Sequence, residues 1–268
     1  MPSVTVNGAE LHYEVRGGGP PVLLVMGATG VGGHFDQVAS LLADEFTVVT
    51  YDRRGNGRSP RPDGWTETST AEQAADAAAL LEALGLSPAA VFGTSTGAVF
   101  VLGMLVDRPE AVRGAILHEP GLFVLFDDPD GTRAAVREAV AEAMQAGGPP
   151  AALERFWAFV TDDAWEDIEP GLREQMIASA DTYFTYERGR FDADVPADDA
   201  LAGIAVPVEV MAGDSTRPFF VQASRRLAER LGVEVRRVAG GHIPYHHHAP
   251  ELAEAMRPFL REVSRASA

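Results

Sequence analysis

The pentapeptide Gly-Thr-Ser-Thr-Gly at residues 93–97 has the residue types and the spacing that could activate a serine. An apolar run precedes it, and a stretch with helical spacing follows it. In a sharp strand-to-helix turn the central hydroxyl is exposed, and glycines two positions to either side avoid steric clashes. The start of the helix adds backbone N–H donors for a developing oxyanion. The pattern predicts Ser95 as a nucleophile; a serine that merely caps a helix is the alternative.

A serine nucleophile needs a general base, and His242 is the best placed of the seven histidines. It follows the last predicted strand and precedes a helical stretch. Because strand carboxyl ends share one edge of a parallel sheet, we expect His242 and Ser95 at the same edge. His12 lies in an opening hairpin, where we expect a partly exposed structural residue. The three consecutive histidines at 246–248 lack the facing spacing of metal ligands, so we expect a solvated turn and no metal.

These residues need a sheet to position them, and the hydrophobic pattern predicts one. Asn7-Gly8 separates two alternating segments, which indicates an opening β-hairpin. Continuous apolar runs, typical of buried parallel strands, recur between helical stretches. They lie at residues 22–26, 47–51, 89–93, 112–118, 206–212 and 233–238. This alternation predicts an α/β fold with a doubly wound, mostly parallel sheet.

The alternation stops between residues 118 and 206, where helical stretches lie at 132–145, 151–160 and 172–186. The segment is rich in aromatic residues, and Gly-Gly-Pro-Pro at 147–150 predicts a break inside it. We therefore expect one α/β core, residues 1–120 and 204–268, interrupted by a helical cap at residues 121–203 that covers the site. A helical extension with a small core of its own is the alternative.

The composition excludes several classes of function. The chain has 39 acidic and 22 basic residues, a net charge of −17, so a nucleic-acid partner is not expected, since phosphate binding needs a basic face. An anionic membrane surface is disfavoured for the same reason. The chain has no cysteine and therefore neither disulfides nor thiolate metal sites. Without a signal-like start or a spanning apolar run, we expect a soluble, cytoplasmic protein with no cofactor.

The motifs together resemble the α/β-hydrolase superfamily over nearly the whole chain. The resemblance rests on residues 93–97, on Asp-Arg-Arg-Gly-Asn-Gly-Arg-Ser at 52–59, and on Gly241-His242 near the end. The chain order of serine, acid and histidine also fits that superfamily. The resemblance implies an eight-stranded, mostly parallel sheet with the cap inserted between strands six and seven.

The resemblance also implies an oxyanion hole made of backbone N–H groups. One donor would be Ala28, beside Gly27 in the loop after strand three, and the other would be Thr96. Many superfamily members have His-Gly where this chain has Met26-Gly27. Because the donor is a backbone group, this departure changes the hydrogen bonding around the hole and need not abolish it.

The acid has two candidates. Most superfamily members place it three residues beyond the glycine that ends strand seven, here Gly213, but that position is Thr216. Asp214 lies nearby, one residue into a turn where Asp-Ser-Thr favours an Asx-turn. A subset of the superfamily, which includes enzymes similar to zearalenone-type lactonases, places the acid after strand six and before a proline. Glu119-Pro120 matches this arrangement, and we favour Glu119 over Asp214; a carboxylate that caps local N–H groups is the alternative for Glu119.

These residues predict a serine hydrolase that acts on a carboxylic ester or lactone through an acyl-enzyme. The aromatic cap and a charge of −17 favour a neutral, apolar small molecule as substrate. We expect it to contact Gly27, Phe123, Trp157 and Phe219. A C–C bond hydrolase of vinylogous diketones is one alternative, and a non-catalytic ligand-binding receptor on the same scaffold is another. No pattern favours a particular oligomeric state.

Overall fold

A single eight-stranded sheet forms the centre of the computed structural model, which describes residues 2–161, 165–191 and 193–265. Residues 162–164 and 192 of the expected cap lie outside the described residues. The strands are β1 Ser3–Val6, β2 Ala9–Arg16, β3 Pro21–Val25, β4 Thr47–Tyr51, β5 Ala89–Thr94, β6 Val112–His118, β7 Val208–Gly213 and β8 Val235–Val238. Their spatial order is β1-β2-β4-β3-β5-β6-β7-β8.

The sheet is parallel from β4 to β8 and antiparallel only where β1 and β2 join its edge. Asn7 and Gly8 both have positive φ, +47° and +75°, which is the backbone that a tight hairpin turn needs. The predicted α/β fold and its mostly parallel sheet are thus confirmed.

Ten α-helices accompany the sheet in the described part of the chain. They are α1 Asp36–Leu42, α2 Thr70–Ala83, α3 Thr96–Asp107, α4 Pro129–Thr161, α5 Pro170–Ala178, α6 Ala180–Thr182, α7 Asp198–Ala202, α8 Pro218–Leu231, α9 Pro244–His247 and α10 Ala249–Arg265. A π-helix at Tyr183–Glu187 follows α6 directly. No helix among the described residues is both long and apolar enough to cross a membrane.

The continuous apolar strands are buried because helices cover both faces of the sheet. In β3, Val22 and Leu24 belong to one hydrophobic cluster, and Leu23 and Val25 belong to the cluster on the opposite face. Successive side chains of a strand point to opposite faces, so a strand covered on both sides has no polar alternation. The carboxyl ends of these strands remain as the edge at which loops can build a site.

The described residues between β6 and β7 contain helices and no strand. Gly148 (φ +69°, ψ −160°) interrupts α4 before Pro149 and Pro150, at the break that the sequence predicts. Phe156 and Trp157 of this segment share one hydrophobic cluster with Val22 of the sheet. The segment, which we call the insertion (residues 121–203), therefore packs directly onto the core.

Candidate active site

Ser95 lies in the turn between β5 and α3 with φ +54° and ψ −127°, a backbone conformation that non-glycine residues rarely adopt. A Cβ at Gly97 would lie 2.2 Å from the Val25 carbonyl oxygen, and one at Gly93 would lie 2.5 Å from the Gly97 carbonyl oxygen. Neither position has room for a side chain. The two glycines therefore allow the close packing that holds the turn in its strained shape.

The turn is also tied to the end of β6. The Ser95 N–H donates to the His118 carbonyl oxygen at 3.0 Å, and the Gly121 N–H donates to the Ser95 carbonyl oxygen at 3.1 Å. Glu119 lies between these two partners and has a φ of +45°. The chain leaving β6 therefore passes directly beside the serine turn.

Glu119 is fully buried, and its carboxylate contacts the ring of His242. His242 Nδ1 lies 2.6 Å from Glu119 Oε2, while the Gly213 N–H donates to Oε1 at 2.7 Å. The Thr216 hydroxyl donates to Oε2 at 2.9 Å. Most members of the superfamily carry the acid at the position of Thr216. In this chain the Thr216 hydroxyl instead donates a hydrogen bond to Glu119, the carboxylate that follows β6.

Asp214, the other candidate acid, is exposed and points elsewhere. Its Oδ1 accepts a hydrogen bond from the Gly240 N–H at 3.0 Å, which ties together the loops after β7 and β8. This contact joins residues 26 positions apart in the chain, so it differs from the Asx-turn that the Asp-Ser-Thr sequence favours. The structure therefore brings Glu119, and not Asp214, to His242.

The surroundings of Glu119 keep it ionised. Burial disfavours the charged form, but the neighbouring His118 and His242 imidazoles and the hydrogen bonds from His242 and the Gly213 N–H outweigh it and lower the pKa of Glu119 to about 2. Burial lowers the pKa of His118 to about 4, so that ring is neutral at pH 7. His118 Nδ1 lies 2.9 Å from Thr94 Oγ1. Glu119 can therefore orient His242 as a carboxylate.

Phe220 of α8 packs face to face on the His242 ring, with centroids 3.7 Å apart and planes 6° apart. The carboxylate fixes one edge of the imidazole, and Phe220 fixes its plane. Two independent contacts thus hold this side chain in one orientation.

The expected oxyanion donors lie beside the serine turn. A Cβ at Gly27 would lie 3.0 Å from both Ser95 Cβ and Thr96 N, so the loop after β3 packs tightly on the turn. Thr96 is the first residue of α3, and N–H groups of a first helical turn have no acceptor within the helix. The Ala28 side chain is buried in the same loop.

Arg53 binds the backbone of this loop, a role that the motif at residues 52–59 does not indicate. Its fully buried guanidinium donates to the Met26 and Gly27 carbonyl oxygens at 3.0 and 2.8 Å. The Gly27 carbonyl and the Ala28 N–H belong to one peptide group, so Arg53 fixes the orientation of that N–H. Arg53 also forms a bidentate ion pair with Glu187 at 2.9 and 2.8 Å. Since Glu187 belongs to the insertion, this pair connects the insertion to the loop.

A cavity of about 420 Å³ opens beside Ser95 and Thr96, and residues of the insertion form most of its wall. Its apolar wall consists of Phe123, Val136, Phe156, Val160, Phe184, Phe191 and Phe220, and its charged wall of Arg133, Arg137, Glu187 and Arg188. The insertion therefore encloses much of the space next to Ser95.

Of the expected substrate contacts, Phe123 lines this cavity, whereas Gly27, Trp157 and Phe219 do not. Gly27 packs behind the turn. Trp157 stacks on His34, with centroids 5.5 Å apart, and Phe219 packs on Phe126 at 5.0 Å. Their neighbours Phe156 and Phe220 face the cavity in their place, because consecutive residues of a helix point in different directions.

The histidines outside this edge have structural contacts. His246 Nε2 lies 2.8 Å from Nδ1 of the buried His34, and burial lowers the pKa of His246 to about 4, so the expectation of a solvated turn is wrong for His246. His12, expected to be partly exposed, is a buried residue of β2. Within the described ranges, no group of three or more potential ligands could hold a metal ion.

The fold agrees with comparisons to known proteins. The model of the alpha/beta hydrolase fold family matches residues 20–249, so the chain belongs to this family and is a hydrolytic enzyme. It is 31% identical over 97% of its length to the uncharacterized hydrolase YraK of Bacillus subtilis (strain 168), of which 96% is covered.

Two further comparisons, one with a curated protein and one with a solved structure, agree with this family. A zearalenone hydrolase of Cladophialophora bantiana is 26% identical over 98% of this chain and 95% of its own. A thermophilic esterase from Thermogutta terrifontis has a similar structure, with a TM-score of 0.77 and 23% identity over 98% of this chain and 97% of its own. The expected resemblance to zearalenone-type hydrolases is thus confirmed.

Proposed function

We propose that the chain hydrolyses carboxylic esters or lactones with Ser95 as nucleophile, His242 as general base and Glu119 as the acid that orients it. The contact between His242 Nδ1 and Glu119 Oε2, 2.6 Å at the edge that also carries the strained Ser95 turn, is the main support. When Nδ1 of a histidine donates its hydrogen bond to a carboxylate, Nε2 is unprotonated and can accept the proton of the serine hydroxyl. The similarity to a zearalenone hydrolase favours the same reaction class.

The proposed reaction begins when Ser95 Oγ attacks the substrate carbonyl and His242 takes the hydroxyl proton. Negative charge then develops on the carbonyl oxygen, and the Ala28 and Thr96 N–H groups stabilise it. Removing one such donor typically costs about 3 kcal/mol of transition-state stabilisation. His242 next protonates the leaving alcohol, which in a lactone stays attached to the acyl group. Water, activated by the same histidine, then hydrolyses the acyl-enzyme.

In this proposal the insertion is a cap that encloses a substrate with an apolar body. Phe123, Phe156 and Phe220 on the cavity wall support an apolar substrate portion next to Ser95. The cytoplasmic location stays a prediction from the sequence.

Turnover of a substrate panel tests the bond type. We expect p-nitrophenyl esters and aryl lactones to be hydrolysed, Ser95→Ala to abolish the reaction, and vinylogous diketones to be unchanged. Cleavage of the diketones alone would establish a C–C bond hydrolase instead. Binding of panel members without turnover of any would favour the receptor alternative.

A further inference from the structure

Most charged side chains that line the cavity are basic, whereas the protein as a whole is acidic. Although the net charge of the chain is −17, three arginines line the cavity, Arg133, Arg137 and Arg188. Glu187 is the one acidic residue among the lining residues that the structure describes, and its carboxylate is neutralised by the bidentate contact with Arg53. The wall around the serine therefore carries a local positive charge.

The arginines come from two parts of the insertion. Arg133, Val136 and Arg137 lie on one face of α4, three and four positions apart, and this face lines the cavity. Arg188 follows the π-helix and is half-buried, with its guanidinium 5.5 Å from the centre of the Phe184 ring.

Arg133 already contacts the Asp130 carboxylate at 3.3 Å, so Arg137 and Arg188 are the arginines that a ligand carboxylate would meet. Among the described residues, neither Arg137 nor Arg188 forms an ion pair with a carboxylate. A guanidinium matches the geometry of a carboxylate and binds it through two parallel hydrogen bonds. Arg188 is half-buried, which strengthens such a contact, whereas Arg137 is exposed.

We infer that the substrate is amphiphilic: an ester or lactone whose apolar body ends in a carboxylate remote from the scissile carbonyl. The apolar wall would receive the body, and Arg137 and Arg188 would bind the carboxylate. The inference rests on the proposed hydrolysis at Ser95. It revises the neutral substrate that the overall charge suggests, because the field in a cleft depends on the charges that line it more than on the net charge.

Two esters of equal length test this inference. Mono-p-nitrophenyl suberate carries a free carboxylate at its far end, and its methyl ester carries none, while both release p-nitrophenolate. We expect the wild type to prefer the anionic ester by about tenfold in kcat/KM, the effect of roughly one charged hydrogen-bonded contact. The preference should arise from KM and should shrink as ionic strength rises.

Single arginine variants show whether the preference for the anionic ester depends on the arginines of the cavity. Arg137→Gln and Arg188→Gln should each lower the ratio of kcat/KM for the two esters several-fold. Arg155→Gln is the matched control, because Arg155 is an exposed arginine of the same helix α4 that does not line the cavity, and it should keep the wild-type ratio. An equal fall in all three variants would indicate a general surface-charge effect and would overturn the inference.

The outcomes separate this inference from the proposed function. Hydrolysis of both esters without preference for the anionic one, or with preference for the neutral one, overturns the carboxylate site and leaves the serine hydrolase intact. Absence of p-nitrophenolate release from both esters overturns the proposed function and the inference with it. A preference that falls only in the cavity variants supports both.

Discussion

The Thr216 hydroxyl donates a hydrogen bond to Glu119, with Oγ1 2.9 Å from Oε2. Thr216 occupies the position where most members of the superfamily carry the acid. His242 Nδ1 lies 2.6 Å from the same Oε2 atom. Positions 119 and 216 therefore both place a side chain next to His242. A carboxylate from either strand end could reach this histidine, and the carboxylate that contacts it in the structure is the one that follows β6.

Because positions 119 and 216 both lie next to His242, we predict that a carboxylate at position 216 can replace the one at position 119. We expect Glu119→Ala to lower kcat strongly and the added change Thr216→Asp to restore part of it, since the new carboxylate would lie next to His242. Ser215→Asp in the same Glu119→Ala background is the matched control and should restore nothing, because Ser215 is exposed in the adjacent turn. Equal rescue by both aspartates would mean that only the added charge matters.

The choice between the two candidate acids has a direct test in kinetics. Glu119→Gln should lower kcat by roughly 10³- to 10⁴-fold, as loss of the acid does in a serine triad. Asp214→Asn removes a carboxylate from the neighbouring turn and should stay near the wild-type rate, because Asp214 contacts the Gly240 N–H and not His242. Steady-state kinetics on one p-nitrophenyl ester measures both; similar, modest losses would show that neither residue is the acid.

Glu119 should also make stability depend on pH. Its folded-state pKa is lowered to about 2, so its contribution is fully present above its unfolded pKa and is lost as pH falls towards 2. The free energy of unfolding of the wild type should therefore exceed that of Glu119→Gln by a constant amount above about pH 5 and by a shrinking amount below it. Urea titrations between pH 3 and pH 8 on both proteins measure this. A difference that grows on acidification would contradict the lowered pKa.

The Arg53–Glu187 pair should stabilise both the fold and the loop after β3. Both side chains are buried, so Glu187→Gln leaves the Arg53 charge without its partner and should cost about 3 kcal/mol of unfolding free energy. We also expect a lower kcat, because Arg53 holds the peptide group that contains the Ala28 N–H. Glu154→Gln, an exposed glutamate of the insertion, is the control and should be nearly neutral in both measurements.

Local patterns in the sequence were sufficient to predict the fold and two of the proposed catalytic residues. Ser95 lies in a five-residue motif, and His242 follows the last strand, so the parallel sheet brings both to one edge. Glu119 needed a choice between two strand ends, because the sequence does not show which side chain turns towards His242. Burial and the hydrogen bonds from Gly213 and Thr216 become visible only in the structure.

Long-range partners and side-chain directions were not predictable in the same way. The motif at residues 52–59 marks Arg53, but its partner Glu187 lies 134 residues further along the chain. Trp157 and Phe156 are adjacent aromatic residues, and only the orientation of α4 on the core decides which one lines the cavity. The net charge of −17 likewise does not show that Arg137 and Arg188 line the cavity, because it sums charges over the whole chain.

Labelling with a fluorophosphonate is the most direct test of the central claim that Ser95 is an activated nucleophile served by His242 and Glu119. At neutral pH we expect one covalent adduct per chain on Ser95, located by peptide mass spectrometry and absent in Ser95→Ala. Labelling should be strongly slowed in Glu119→Gln and close to the wild-type rate in Asp214→Asn. A folded wild-type protein that forms no adduct, or forms it at another serine, would contradict the assignment of Ser95 as the nucleophile.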